Sequence, residues 1–349
     1  MSLDATLAGP PLRTAIVGLG RMGMRHLEAV HRLGMTVVGL ADMSAEALEA
    51  GAREVGLETE SCFTDAATMF EAVQPEAVVI ATTAPSHASL VLAAVDAGAR
   101  YILCEKPMAA SLEEVDAMTR ACEAAGTLLA VNHQMRFMPN YSVIKAMIGS
   151  EELGPLVSMV VAGSNFGLAM NASHYFEAFR FLTDSRIATV SAWLEDEQLT
   201  NPRGPQFDDR SGRLSAIGRG GQGLYIDFSA NAGWGLQVIY ICRNGQIVVD
   251  ELNGEVRVAA RQAEFRDLPT SRYGLPVDIR NQMIPPTENV DSTMAVWRAM
   301  IDGAGYPGSD VGEHALSCLV AAHLSHRAGG APVSIDVPAH AREERFAWA

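Results

Sequence analysis

An α/β domain built on a parallel sheet, residues 1–135, followed by an α+β domain with a large, mostly antiparallel open sheet, residues 136–349, is the predicted architecture. Three observations carry that prediction. Short β-branched runs alternate with glycine-closed helical stretches through the first third of the chain. Gly-x-Gly-x-x-Gly spans residues 18–23, directly between the first strand and the first helix. After about residue 150 the rhythm changes to β-rich runs joined by Asn244-Gly245 and Asn253-Gly254. A length of 349 residues with 48% hydrophobic and 19% charged residues exceeds one comfortable core and is too apolar for a disordered chain.

In the first domain, strands are predicted at residues 14–17, 35–41, 77–81, 101–104 and 128–131, with a weaker one at Cys62 and Phe63. Most are uniformly apolar, the pattern expected when helices cover both faces of a sheet. Gly34, Gly56, Gly98 and Gly126 close the intervening helices, and Ser111 with Glu114 reads as a capping box for the helix ending at Gly126. In the second domain, strands are predicted at 156–161, 188–194 and 224–230, and a meander from residue 234 through 250 and onward. Its two Asn-Gly turns supply the positive φ angles of tight hairpins. Helices are predicted at 173–182, 290–301 and 311–327, the last opened by Asp310 with Glu313. Residues 200–223, rich in Gly, Pro, Arg and Asp, are predicted to form a long loop, a surface insertion rather than a pocket cover.

With 26 basic and 41 acidic residues the formal charge is -15, so no cationic field gathers nucleic acid or anionic lipid. The five cysteines are scattered and never form Cys-x-x-Cys, which opposes a disulfide framework and a zinc cluster and fits reduced thiols in a cytoplasmic protein. No apolar run approaches the roughly 18 residues of a spanning helix, and the N-terminus lacks the basic-then-apolar pattern of a secretory signal. His323 and His326 share an i,i+3 spacing, but no carboxylate motif accompanies them and no metal is expected.

The glycine pattern in its strand-to-helix context makes the first domain Rossmann-type and dinucleotide-binding. Gly18 permits the tight turn, Gly20 lets a pyrophosphate approach the backbone, and Gly23 lets helix and strand pack closely. Arg21 and Met22 complete the turn, with Arg21 able to add a cationic contact. Asp42 ends the second strand 19 residues beyond Gly23, where a carboxylate accepts hydrogen bonds from ribose hydroxyls. It would repel a 2′-phosphate, and Met43 and Ser44 follow it instead of Arg or Lys, so NAD is favoured over NADP. Three later strand ends should meet at the same rim: Thr82, Thr83 and His87 after the fourth, Glu105-Lys106-Pro107 after the fifth, and Asn132-His133 after the sixth.

Residues 18–23, the Glu105-Lys106-Pro107 triplet and His174-Tyr-Phe-Glu177 together resemble the Gfo/Idh/MocA family, which includes glucose-fructose oxidoreductase and inositol dehydrogenase. The resemblance covers nearly the whole chain. It implies an NAD(P)-dependent oxidoreductase that transfers a hydride between nicotinamide and a secondary alcohol or ketone of a sugar, cyclitol or sugar derivative. It further implies that Lys106 lies near the reacting hydroxyl and the ribose, that the following proline often has a cis peptide, and that His174 serves as acid/base or substrate ligand. Independently, loss of hydride from an alcohol carbon requires loss of the hydroxyl proton, which a cation beside the alkoxide or a base assists.

One departure from the family pattern stands out: Met170 occupies the position four residues before His174 where many members carry aspartate. The neighbouring Asn171 can orient a hydroxyl but cannot take up a proton, so a Lys-Asp-His relay is altered or absent. His174 and Glu177 can share a helix face, and His133 either reaches the cleft or caps its strand. The polar set Lys106, His133, Asn165, Asn171, His174 and Glu177 suits a polyhydroxylated small molecule, whereas Arg203, Arg210, Arg213 and Arg219 meet either an anionic substrate or nearby Asp208 and Asp209. Two other functions are compatible with these residues: an NAD-dependent glycosidase with no net redox change, and a non-catalytic dinucleotide-binding regulator. An open sheet face needs cover, so a homodimer or homotetramer is expected.

Overall fold

The computed structural model describes residues 10–196, 201–233, 235–269 and 274–348. Sequence expectations that touch residues 1–9, Thr200 or Trp234 lie outside the described residues. The chain forms two compact units. One holds the residues up to Gln134, Glu288–Leu316 and the segment from Arg342 onward; the other holds Met135–Thr287 and Ser317–Ala341.

The first unit contains a six-stranded parallel sheet in the order β3-β2-β1-β4-β5-β6. Its strands are β1 (Arg13–Val17), β2 (Thr36–Ala41), β3 (Cys62–Phe63), β4 (Ala77–Ile80), β5 (Tyr101–Cys104) and β6 (Leu128–Val131). Helices α1 (Arg21–Arg32), α2 (Ala45–Val55), α3 (Ala66–Val73), α4 (Ala84–Asp96) and α5 (Leu112–Ala125) alternate with them. Burial on both faces explains the uniform strands: every residue of β4 is buried. The strand order reverses at β1 and β4, so the crevice at their carboxyl ends is the switch point of the sheet. Ser111 and Glu114 form their capping contact, Oγ accepting from the Glu114 amide at 3.2 Å, while the Glu114 carboxylate accepts from the Ala110 amide.

Long-range packing brings later segments back to this unit, where the sequence reading assigned everything after residue 135 to the second domain. Helix α8 (Asn289–Ile301) buries Met294, Val296, Trp297 and Met300, and its Asp291 meets Arg32 of α1 at 2.9 Å. The Val131 amide donates to the Pro307 carbonyl at 2.8 Å. Near the C-terminus Trp348 is 1% exposed, with Nε1 donating to the Ala109 carbonyl at 3.0 Å.

In the second unit lie α6 (Pro139–Met147), α7 (Ser173–Thr183) and a nine-stranded sheet in the order β14-β13-β12-β11-β7-β10-β9-β8-β15. Its strands are β7 (Leu156–Gly163), β8 (Ile187–Leu194), β9 (Gly212–Gly218), β10 (Gly223–Phe228), β11 (Leu236–Cys242), β12 (Gly245–Asp250), β13 (Glu255–Arg261), β14 (Val277–Met283) and β15 (Val333–Ser334). Strands β7 and β10 run parallel and the other neighbours antiparallel. Helix α9 (Ser309–Arg327) and α10 (Ala339–Glu343) complete the α-helices among the described residues.

The long loop expected over residues 200–223 is corrected by β9, which pairs with both β8 and β10. Its sequence, Gly-Arg-Leu-Ser-Ala-Ile-Gly, alternates inward and outward residues, and cross-strand pairing overrides the low β-propensity of glycine. The two Asn-Gly turns do join β11, β12 and β13, yet by different means. Gly254 adopts φ +82°, whereas Gly245 does not take a positive φ. There a Cβ would lie 2.2 Å from the Ala259 carbonyl oxygen, so close backbone approach is what requires glycine. One face of this sheet is buried under apolar side chains such as Phe176 and Phe179 of α7, while Val157, Trp193, Ile217 and Tyr225 stand exposed on the other. No described helix is long and apolar enough to cross a membrane.

Candidate functional site

In the first unit the carboxyl ends of β1, β2, β4 and β5 carry the candidate cofactor residues, and that of β6 leads to His133. Gly18 takes φ +87°, and a Cβ on it would lie 2.8 Å from both the carbonyl carbon and the oxygen of Ala81. The turn therefore packs directly on the end of β4. A Cβ on Gly23 would lie 1.9 Å from the Gly18 oxygen, which is how this glycine lets α1 close on the turn. Gly20 is different: it has nothing within 4 Å of its would-be Cβ. It precedes a helix with no side-chain cap and no acidic residue in its first turn. That open space before uncapped helix amides fits an anionic pyrophosphate. Arg21 is exposed and Met22 half-buried beside it.

Asp42 fits the ribose role as well. Its two carboxylate oxygens accept from the Leu19 amide at 2.6 Å and the Ser44 amide at 2.8 Å, which fixes the side chain and leaves lone pairs on both. At the end of β4 the Thr82 hydroxyl accepts from Ser86 Oγ at 2.8 Å, and Thr83 occupies the N-cap position of α4. His87 is fully buried. Its Nδ1 lies 2.9 Å from the Pro107 carbonyl oxygen and its Nε2 3.2 Å from that of Thr82. Burial holds its imidazole below its usual pKa despite these carbonyl partners. The ring thus braces the loops after β4 and β5 instead of opening toward solvent.

Glu105 is 6% exposed, and one of its oxygens meets both His26 Nε2 and Asn132 Nδ2 at 2.8 Å. Burial raises its pKa, but the hydrogen bond and charge of His26, the charge of Lys106 and the Asn132 amide together outweigh burial and hold the group well below the usual carboxylate range. His26 lies on α1, the helix opened by the glycine turn, so this buried contact ties the strand end that bears Lys106 to the turn. The Lys106-Pro107 peptide is cis. His133, at the end of β6, is 1% exposed, its amide donating to the Val131 carbonyl at 2.6 Å.

The second unit has its own cavity, ≈ 330 Å³ in volume, whose polar lining includes Ser164, Asn171, His174 and Glu251. Asn171 lies in a π-helical turn, Leu168–Ala172, and its side-chain amide donates to the Phe166 carbonyl at 3.0 Å. Asp209 anchors this turn, accepting from the amides of Ala169 at 2.6 Å and Met170 at 2.8 Å. Helix α7 follows at once and sets His174 and Tyr175 on the cavity wall. Glu177 is placed elsewhere: it is 1% exposed, forms an ion pair with Arg136 and does not line the cavity. Asn165 is half-buried between two lining residues, Ser164 and Phe166, without lining the cavity itself. Arg210, Arg213 and Arg219 pair with acids, namely Asp208 and Asp196, Asp227, and Asp336.

Sequence reasoning did not single out His26, Arg136, Tyr141, Tyr175 or Glu251. His26 is one of several polar residues on an amphipathic helix, and Glu251 looks like part of a hairpin turn. Nothing local marks either. Tyr141 and Tyr175 both donate to the Glu251 carboxylate, the latter at 2.8 Å. Burial pushes the Glu251 acid up, partly offset by these two donors, and burial together with the Glu251 charge pushes both phenols well above their usual value.

Comparison with known proteins bears on the family and the fold. The model of the Gfo/Idh/MocA family, described as an oxidoreductase family with an NAD-binding Rossmann fold, matches residues 12–133. A D-apiose dehydrogenase of Paraburkholderia graminis is 35% identical over 172 residues, which is 49% of this chain and 45% of that protein. The chain thus spans under half the length of that relative. Inositol 2-dehydrogenase 4 of Saccharopolyspora erythraea is 30% identical over 246 residues, 65% of this chain and 69% of that protein. Among solved structures, an inositol dehydrogenase homologue from Azotobacter vinelandii complexed with NADH and myo-inositol superposes with a TM-score of 0.76 at 18% identity, covering 93% of this chain and 98% of that one. At that identity the superposition shows the fold alone. The matched family model and the inositol 2-dehydrogenase relative, on top of the glycine turn and the Glu105-Lys106-Pro107 strand end, make this chain a member of the Gfo/Idh/MocA oxidoreductase family.

Proposed function

We propose that the chain is an NAD-dependent dehydrogenase that moves a hydride between nicotinamide and a secondary alcohol or ketone carbon of a cyclitol or sugar. The observation that carries this reading is the buried Glu105 contact, which ties the strand end bearing Lys106 to the helix opened by the glycine turn. Gly18, Gly20, Gly23 and the α1 amides would hold the pyrophosphate, and Asp42 the ribose. Asp42 is followed by the exposed Met43 and offers no cation for a 2′-phosphate, which supports NAD over NADP. The bound dinucleotide supplies hydride-transfer chemistry.

In this reading Lys106 stabilises the alkoxide that develops as the hydroxyl proton departs, and His174 exchanges that proton. Asn171, with its amide tethered to the Phe166 carbonyl, orients a hydroxyl through its remaining hydrogen-bonding capacity. The relatives named as inositol and D-apiose dehydrogenases support a polyhydroxylated substrate. The test is absorbance of reduced nicotinamide on mixing the protein and NAD or NADP with cyclitols, sugars and sugar acids, alongside Lys106→Ala. A signal with NAD that the variant loses supports the reading. NAD retained without any such signal refutes it and favours a closed redox cycle or a regulator. The same reading includes a homodimer or homotetramer joined through the exposed sheet face around Trp193 and Tyr225, 52% and 46% exposed; a monomeric mass at micromolar concentration refutes it.

A further inference from the structure

The cavity of the second unit holds an ionisable group that neither motif nor spacing announces. Glu251 follows β12 and shares the cavity wall with His174 and Asn171. Its two oxygens are engaged separately, Oε1 by the hydroxyl of Tyr141 and Oε2 by that of Tyr175 at 2.8 Å. Tyr141 and Tyr175 are 1% and 3% exposed. A carboxylate offers about four acceptor positions, so two remain after the tyrosines are served. We propose that Glu251, oriented by Tyr141 and Tyr175, accepts a hydrogen bond from a hydroxyl of the substrate and is a specificity-determining residue of this cavity.

Three features of the site support this assignment. Phe166, Tyr175, Leu236 and Leu252 make much of the wall apolar, so a fixed acceptor there discriminates strongly between a ligand with a hydroxyl at that point and one without. One of the two tyrosines that hold Glu251, Tyr175, is the chain neighbour of His174, so α7 bears both His174 and a donor that orients Glu251. The ligand class that satisfies both is a neutral compound with at least two hydroxyls. A sugar acid would bring a second carboxylate toward the first and is disfavoured. Finally, burying this acid costs the fold stability, since its pKa is pushed up by burial even with two donors in place. Such a cost is characteristic of a functional position.

This inference rests on the cavity being the substrate pocket. The full chain with NADH present, which prevents oxidation of an alcohol, is titrated calorimetrically with myo-inositol, D-glucose, D-xylose and D-gluconate, and then with deoxy analogues of the tightest binder. Glu251→Gln should weaken the parent polyol roughly tenfold or more. One deoxy analogue should show the same loss against the wild type and no further loss against the variant. Tyr141→Phe, which lies off the cavity wall, is the second variant: it should weaken the parent and leave that analogue unchanged, a selectivity that a merely structural role does not produce. A neutral polyol that binds equally to wild type and both variants overturns this inference and leaves the proposed function standing. Failure of every neutral polyol to bind the wild type overturns both.

Discussion

Alanine at Gly20 and at Gly23 should have opposite consequences, although both glycines belong to one motif. At Gly23 the added methyl would sit 1.9 Å from the Gly18 oxygen and 2.8 Å from its carbonyl carbon. A carbon and an oxygen do not approach much below about 3 Å, so α1 and the turn would have to separate by roughly 1 Å. Overpacking of this kind costs about 1–3 kcal/mol, and each kcal/mol is worth roughly 2–4 °C in a unit of this size. Gly20, with φ -66° and no atom within 4 Å of its would-be Cβ, accepts alanine without strain. The methyl does occupy the space through which a pyrophosphate reaches the backbone, which should weaken NAD by roughly 5- to 150-fold. Differential scanning calorimetry and NAD titration of both variants separate the effects. Gly23→Ala should melt lower, while Gly20→Ala should melt with the wild type and bind NAD poorly. Unchanged NAD affinity in Gly20→Ala would refute the assignment of this turn to a dinucleotide.

Glu105→Gln removes the charge from a buried contact and should cost about 3–5 kcal/mol near neutral pH. Because the folded-state pKa of Glu105 lies below its ordinary 4.5, the wild type holds that stability above about pH 4.5 and loses it as pH falls toward the folded value. Denaturant midpoints of the two proteins should therefore converge on acidification; a constant gap between them contradicts the linkage. Glu251→Gln has the opposite sign. A raised folded pKa contributes stability that is complete below the ordinary 4.5 and lost as pH rises through the folded value. The variant should melt at or above the wild-type temperature at pH 8 and lose that advantage at low pH, and a variant less stable than wild type only at high pH would show the sign to be wrong.

Several features were legible in the amino-acid order because they depend on local chemistry. The glycine turn, the uniform strands of the parallel sheet, the Ser111 cap and the hairpin at Asn253 arise from backbone conformation and short-period patterning over a few residues. The Glu105-Lys106-Pro107 triplet could be located at a strand end for the same reason. Strand β9 could not, since its glycines and arginine conceal an alternation that acquires meaning only between β8 and β10. The placement of Glu177 against Arg136 was likewise hidden, because helical spacing shows which face a residue shares but not what that face meets. Tertiary structure alone decided the buried electrostatics. His26 and Glu105 are 79 residues apart in the chain, and Tyr141 and Glu251 are 110 apart. Such pairs are chosen by how apolar faces pack across the whole unit; the loss of water pushes both acids up, and the partners that packing supplies decide the outcome, His26 and Asn132 with the adjacent Lys106 pulling Glu105 down while Tyr141 and Tyr175 only partly offset burial at Glu251.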